Sequence, residues 1–424
     1  MPTLSALPDA DTTTARNTRR TLPPKVAFYL QASIIVFFLA GSSAPTPLYA
    51  LYQSEWHFSP ITTTVVFGVY ALAVLASLLV VGSLSDHIGR RPVLLAAIIT
   101  QALTMLIFID VHGVGELLAA RILQGLATGA AAGAVGAGLL DLNRTSGTVA
   151  NAVSPMTGTA LGALGSSLLV QYLPAPARTI YWLLFAVFVV QAVGVRFMAE
   201  SATPRAGALG SLRPQFVVPS GARRPLLLGV PAVVALWALA GLYGSLGPAV
   251  VRLIAGSDST VLGGSALFVL AATGAVAVLL LQRSSPHAIM ILGTTALLLG
   301  VGLSVLAINI TSIALFFLGT AVAGVGFGSS FQGVVRTVIP HAAAHERAGL
   351  LSVVYVVSYL AMGLPAVIAG FLVVHGGGVL ATAREYGLVV MVLAAVALLG
   401  TLATHYRSRL DRRIATRAAV ELCG

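Results

Sequence analysis

The chain has 424 residues, of which 57% are apolar and only 9% are charged. A soluble globular chain carries roughly 25% charged residues, so this composition excludes a soluble domain, with or without a single anchor, and leaves a polytopic membrane protein. The formal net charge of +11 does not mark a nucleic-acid binder, because of the 24 Lys and Arg all but Arg121, Arg178, Arg252 and Arg384 fall in the N-terminal tail, alternate loops and the C-terminal tail. That asymmetry is the positive-inside pattern and predicts that both termini are cytoplasmic.

Residues 1–25 carry Asp9, Asp11 and several Thr but no apolar core or small-residue cleavage site, so they read as a disordered cytoplasmic tail and not as a signal peptide. A membrane-crossing helix needs about 20 apolar residues, and twelve candidates follow: 26–52, 61–84, 92–110, 114–140, 148–172, 180–198, 226–252, 260–282, 287–308, 312–336, 348–374 and 387–405. Ala, Gly, Leu and Val dominate without strand-like alternation, which predicts an all-α membrane protein and not a β-barrel. The longest internal connection, residues 199–225, is rich in Arg, Pro and Gly and reads as a cytoplasmic linker between a six-helix half at 26–198 and another at 226–406. Residues 407–424 form a basic cytoplasmic tail. Its Arg407–Arg417 stretch, with Arg16–Lys25, is expected to contact anionic lipid headgroups. The one cysteine, Cys423, leaves disulfides no part.

The halves are weakly self-similar. Leu39-Ala40-Gly41 recurs as Leu239-Ala240-Gly241, His87 is matched by His287, and Gly-rich span four is matched by Gly-rich span ten. With the six-plus-six layout, this predicts a duplicated architecture.

The one dense charge cluster between two apolar runs is Gly82-Ser83-Leu84-Ser85-Asp86-His87-Ile88-Gly89-Arg90-Arg91. A tight turn is needed there, and Gly82 and Gly89 permit close backbone approach and unusual φ. Asp86 and Arg90 stand at i and i+4, an ion-pair spacing if the loop is helical. The pattern G-x-L-x-D-x-x-G-R-R between spans two and three resembles the signature loop of the major facilitator superfamily of secondary transporters. A generic basic loop would account for Arg90 and Arg91 but not for Gly82, Asp86 and Gly89.

Span four carries Arg121, about seven residues or roughly 10 Å inside its outer end. A charge at the middle of a span costs about 2.5–3.5 kcal/mol on insertion scales, so Arg121 must face protein or a water-filled cavity, or else snorkel to the interface. Gln124, Gly125 and Gly129 follow on the same face, and the glycines allow a neighbouring helix close. Arg121-Ile122-Leu123-Gln124-Gly125-Leu126-Ala127-Thr128-Gly129 resembles the R-x-x-Q-G-x-x-x-G motif of proton-linked superfamily members. That resemblance implies a role for Arg121, with Gln124, in proton coupling or substrate contact. Glu116 shares the outer interface but lies about 140° around the helix, unsuited to direct pairing.

The resemblance further implies that Arg90 pairs with Asp141 at the end of span four, and that Asp86 lies near the helix N-terminus starting around Ala348. A carboxylate is favoured there by the helix dipole. Together these contacts would latch the halves on the inside. A solvated helix end is the alternative for Asp141. Span five resembles the antiporter motif g-x-x-x-G-P-x-x-G-G only in part: Gly158 and Gly162 are present, but Ala163 stands at the Pro position and Ser166-Ser167 at the final Gly pair. Small-residue packing explains these glycines equally well.

No Asp, Glu or His lies mid-span, so a proton site would have to use Asp86, Asp110, Glu116 or Asp141, all near span ends. Polar and aromatic candidates to line a cavity, by resemblance, are Gln31, Thr46, Tyr49, Tyr70, Asn151, Trp237, Tyr243, Ser330, Gln332, Tyr355 and Tyr359. Pro45, Pro47 and Pro248 interrupt spans one and seven, and broken helices mark substrate sites. No phosphate-binding loop or His/Cys metal cluster is present, and His341 and His345 sit in a polar loop, so no enzyme, metal or cofactor is expected.

The resemblance implies a twelve-helix transporter of the major facilitator type in a bacterial cytoplasmic membrane. It would be a monomer working by alternating access on a small-molecule substrate, with no nucleic acid. The expected activity is proton-gradient-driven efflux of amphipathic, drug-like compounds. The alternative is proton-coupled uptake of a small solute such as a sugar or carboxylate, with Arg121 binding the carboxylate.

Overall fold

The computed structural model describes residues 21–343 and 345–423, with side chains throughout these except at 176, 405 and 407–423. Among the described residues there are no strands, and twelve helices are long and apolar enough to cross a membrane. The chain is a multi-pass membrane protein. Spans one to six are Pro24–Ser43 continued by Pro45–Trp56, Pro60–Val81, Arg90–Ile109, Val114–Leu142, Arg144–Tyr172 and Pro176–Arg196. Spans seven to twelve are Ser220–Ser245 continued by Gly247–Ala255, Thr260–Leu281, Pro286–Asn309, Ile313–Val338, Arg347–His375 and Val379–Cys423.

Several boundaries differ from the sequence reading: span two stops at Val81, span five starts at Arg144, span six at Pro176 and span twelve at Val379, and two further differences have a plain cause. Span one already begins at Pro24, where a proline suits the first helical turn because its missing N–H has no partner to lose. The span-twelve helix runs on to Cys423, because the basic segment after 406 has no Gly or Pro before Gly424 and is rich in Arg, Ala and Leu. Residues 1–20, most of the N-terminal tail, lie outside the described residues.

Small residues decide which helices meet. In span four Gly125, Gly129 and Gly133 recur every four residues and face span two; a Cβ on Gly125 would lie 2.7 Å from the Tyr70 carbonyl, and one on Gly133 2.9 Å from the Gly82 carbonyl. Gly158 and Gly162 of span five are pressed against the carbonyls of Val36 and Ala40 in span one. In the second half Gly300, Gly319 and Gly326 seat span nine against span ten in the same way. Helix pairs in a bilayer gain no hydrophobic driving force from association, so close backbone packing of this kind supplies it instead.

The halves differ in how they are joined at their two ends. We call the end bearing Gly82–Arg91 the loop end and the opposite one the far end. Toward the far end, span two meets span eleven where Gly68 approaches Gly363 and Val367 and Gly370 faces Thr64. Span five meets span eight where Gly264 abuts Ala163 and Ser167. Hydrogen bonds cross there too: Gln171 Oε1 accepts from Ser259 Oγ at 2.8 Å and from Val261 N–H at 3.1 Å.

Candidate functional site

The loop end is organised by one buried guanidinium. Ser85–Ile88 forms a single helical turn, which brings Asp86 to Arg90 as an ion pair. Arg90 Nε donates to Asp141 Oδ2 at 3.2 Å and Nη1 donates to Ser85 Oγ at 2.7 Å. Arg90 is only 7% exposed, and its charge is matched by two carboxylates, as a buried cation requires. Gly89 adopts φ +103°, which only glycine takes readily, while Gly82 is helical and its backbone is the surface that Gly133 approaches.

The bare Gly89 backbone admits a third carboxylate, from the linker. Glu200 Oε1 accepts the Arg90 N–H at 2.7 Å and Oε2 accepts the Arg91 N–H at 3.0 Å. These are the unpaired first-turn donors of span three, and a carboxylate there also meets the positive end of the helix dipole. The surrounding linker is stitched to the same loop. Ser201 Oγ donates to Asp141 at 3.0 Å, Arg205 N–H to the His87 carbonyl at 2.9 Å, and Ser83 Oγ to the Ser211 carbonyl at 2.9 Å. Arg91 donates to the Arg196 carbonyl that ends span six, at 2.6 Å.

Deep in the first half lies Arg121, 1% exposed. Its partners follow from the prolines of span one. Pro45 has no N–H to offer the Gly41 carbonyl four residues earlier, so the helix breaks at Ala44 and leaves carbonyls unpaired at its end. Gln124 Nε2 donates to the Gly41 carbonyl at 3.0 Å, and Arg121 Nη1 donates to the Ser42 carbonyl at 2.9 Å and to Gln124 Oε1 at 2.6 Å. The guanidinium also sits 4.2 Å from the centre of the Tyr70 ring, a cation–π contact. Among the described residues no carboxylate pairs with Arg121. The negative end of a broken helix, an amide and an aromatic face hold its charge instead. Around it, buried polar atoms without partners accumulate: Arg121 Nε, the Tyr49 hydroxyl and both amide atoms of Gln101.

Across the interface, the second half presents rings. Trp237 has ring centroids of Tyr359 at 5.4 Å, Phe331 at 5.8 Å and Phe327 at 6.2 Å. Trp237 and Tyr359 pack in turn on Phe67, Ala71, Met362 and Ala366, a cluster that spans both halves. Phe67 and Ala71 flank Tyr70 on span two, so the Tyr70 that covers Arg121 and the ring cluster meet on one helix.

The sequence profile of the Major Facilitator Superfamily matches residues 32–285. The chain belongs to that superfamily. Its structure resembles the nucleoside transporter NupG, with a TM-score of 0.66 at 13% identity over 90% of this chain and 98% of that one. It also resembles the human organic anion transporter MFSD10 (TETRAN), with a TM-score of 0.63 at 18% identity over 89% of this chain and 100% of that one. At these identities the likeness shows the superfamily fold. A search of curated protein sequences finds no match. As a member of this superfamily the protein is a secondary transporter and not an enzyme.

Placed in the superfamily fold, several residues expected at the cavity lie elsewhere. Gln31 is 1% exposed inside the first half, against Gly138 and Met198. Asn151 donates to the Gly136 carbonyl at 2.9 Å and ties span five to span four. Tyr243 bonds Thr320 at 2.7 Å within the second half, beside a small apolar cavity of about 30 Å³ that Arg121 does not line. Ser330 faces Gly293 of span nine. Tyr49, Tyr70, Trp237, Gln332, Tyr355 and Tyr359 stay as candidates, with Gln332 Oε1 and Trp237 Nε1 buried and unpartnered.

Glu116 accepts the His112 N–H at 2.7 Å at the start of span four, a cap at the surface and not a partner for Arg121. Asp86 also departs from expectation. Among the described residues no hydrogen bond or ion pair joins it to span eleven, whose first turn is met at Gly349 by Val217 of the linker. The halves here are joined at the far end, which explains why Asp86 turns to Arg90 alone. The residue that sequence reasoning missed is Glu200. An acidic residue beside the end of a span, preceding a Ser, was the available signal.

Proposed function

We propose that this transporter exports amphipathic organic compounds bearing an anionic group. It would work by alternating access and proton-linked exchange across a bacterial cytoplasmic membrane, with the loop end facing the cytoplasm. The observation that carries this reading is Arg121, a guanidinium 1% exposed whose partners are carbonyls, an amide and a ring, with unpartnered donors beside it. A fixed buried cation without a fixed counter-ion favours an anionic ligand, since a charged partner strengthens a hydrogen bond most where water is scarce. The ring cluster about Trp237 suits an apolar, aromatic portion of the same molecule. The contacts between halves at the far end support an inward-facing state.

A second reading, uptake of one polar carboxylate by symport, draws on the same Arg121 and on the amides of Gln101 and Gln124 beside it. Cellular accumulation separates the two. Export predicts that expression lowers the accumulation of several unrelated lipophilic acids, whereas uptake predicts saturable accumulation of one polar acid. In either case Arg121→Gln should reduce transport by about ten-fold or more, the factor that corresponds to losing a hydrogen bond to a charged group. Accumulation unchanged across a broad panel of acids would refute both.

A further inference from the structure

Span seven is broken as span one is. Its helix stops at Ser245 and resumes at Gly247, and Pro248 has no N–H for the carbonyl four residues earlier, that of Gly244. In span one the carbonyl left by Pro45 is satisfied from within its own half, by Gln124. The Gly244 carbonyl is satisfied from the other half. Thr46 Oγ1, on the segment of span one just past its break, donates to it at 3.2 Å. Both residues are buried: Thr46 is 3% exposed, and Phe67 of span two packs so closely on Gly244 that a Cβ there would lie 2.6 Å from its ring.

We propose that Thr46 is a positioning residue of the transport cycle. Its hydroxyl holds the far end closed by filling an acceptor that Pro248 creates. A buried carbonyl without a donor costs more than the hydrogen bond itself is worth, because its desolvation is then uncompensated. Within the second half Gly244 has lost its helical donor. When the halves separate at the far end, Thr46 leaves with the first half. The Gly244 carbonyl is then released to water or to a hydrogen-bond donor on the substrate, while the Thr46 hydroxyl returns to its own helix backbone, as Thr readily does. Closing the far end therefore requires dehydrating Gly244, and Thr46 is the group that makes this possible. The neighbouring contacts, Gly264 on Ser167 and Gly370 on Thr64, are steric and carry no such donor–acceptor requirement between the halves. The inference rests on alternating access, part of the function proposed above, and not on the class of substrate.

The test needs no ligand, so it fails or succeeds apart from the organic-anion reading. In a Cys423→Ser background a single cysteine is placed at Ser167, which is fully buried in the far-end seam, and its rate of maleimide labelling is measured on purified protein. Thr46→Val keeps the shape and removes the hydroxyl. It should raise the labelling rate roughly five- to hundred-fold, the range expected for stranding one buried acceptor. Thr46→Ser should label like the parent. Pro248→Ala returns a helical N–H to Gly244, and in that background Thr46→Val should no longer change the rate. An unchanged rate in Thr46→Val, an equal rise in Thr46→Ser, or a rise that persists with Pro248→Ala would each overturn the proposal. Melting temperature and elution profile identify any variant that misfolds, and the Thr46→Ser and Pro248→Ala comparisons then decide the case.

Discussion

Gly162→Val should leave almost no folded transporter. A Cβ at Gly162 overlaps the Ala40 carbonyl and the Ser43 hydroxyl of span one, and a Cβ at Gly158, one turn earlier, overlaps the Val36 carbonyl. The obstructing atoms at Gly162 are chiefly backbone, which cannot swing aside as a side chain can, so spans one and five must separate. Overpacking a core by a few methylenes costs about 1–3 kcal/mol where side chains can shift, and the cost here lies at or beyond the upper end. Ser43 adds to it, since its hydroxyl reaches the Thr159 carbonyl at 3.0 Å through the same close approach. The same span provides the control. Gly165 has open space where its Cβ would stand, and Gly165→Val should express and melt like the parent, within about 0.5 kcal/mol. Monodisperse yield in detergent and thermal midpoint measure both. Equal behaviour of the two variants would refute the packing argument.

Gly89→Ala should be the most damaging single-methyl change at the loop end. Two penalties coincide. The residue sits at φ +103°, ψ 155°, a region essentially reserved to glycine, where a side chain costs about 1–3 kcal/mol. Its Cβ would lie 2.6 Å from Glu200 Oε2 and so displace the carboxylate that caps span three through the Arg90 and Arg91 N–H groups. Losing that cap adds about 1–2 kcal/mol. These contributions are separable because they run through different residues. If Gly89 exists in part to admit Glu200, then in a Glu200→Ala background Gly89→Ala should cost only the conformational part. The coupling across this double-mutant cycle should be about 1 kcal/mol or more in thermal or denaturant stability. Strict additivity would mean that Glu200 is irrelevant to the choice of glycine.

The sequence shows some of this arrangement more readily than the rest. The twelve spans were legible because a long apolar run has few alternatives. The loop Gly82–Arg91 was legible because charge and glycine there interrupt such runs. The spacing of Asp86 and Arg90 already pointed to the observed ion pair. Gln31, Tyr243 and Ser330 were misplaced for a physical reason. A helix between lipid and other helices is apolar all round, so its periodicity does not distinguish a polar residue facing the cavity from one buried among neighbouring helices. Glu200 left only a weak signal, an acidic residue beside a span end, because its partners, Arg90 and Arg91, are more than 100 residues away and are backbone N–H groups that any sequence possesses. The prolines of spans one and seven announced breaks, but not where the released carbonyls would find donors. Only the assembled helices reveal that Gly41 is served by Gln124 within its half and Gly244 by Thr46 from the other.

The proposed function turns on Arg121 receiving the anionic group of an amphipathic substrate. The most direct measurement is the thermal shift of purified protein with an aryl carboxylate and with its neutral amide, in the parent and in Arg121→Gln, since a ligand that binds the folded state raises its apparent stability. Stabilisation by the carboxylate, little by the amide, and loss of the difference in Arg121→Gln are expected. Equal stabilisation by acid and amide, or a carboxylate effect undiminished in Arg121→Gln, would contradict the proposed function.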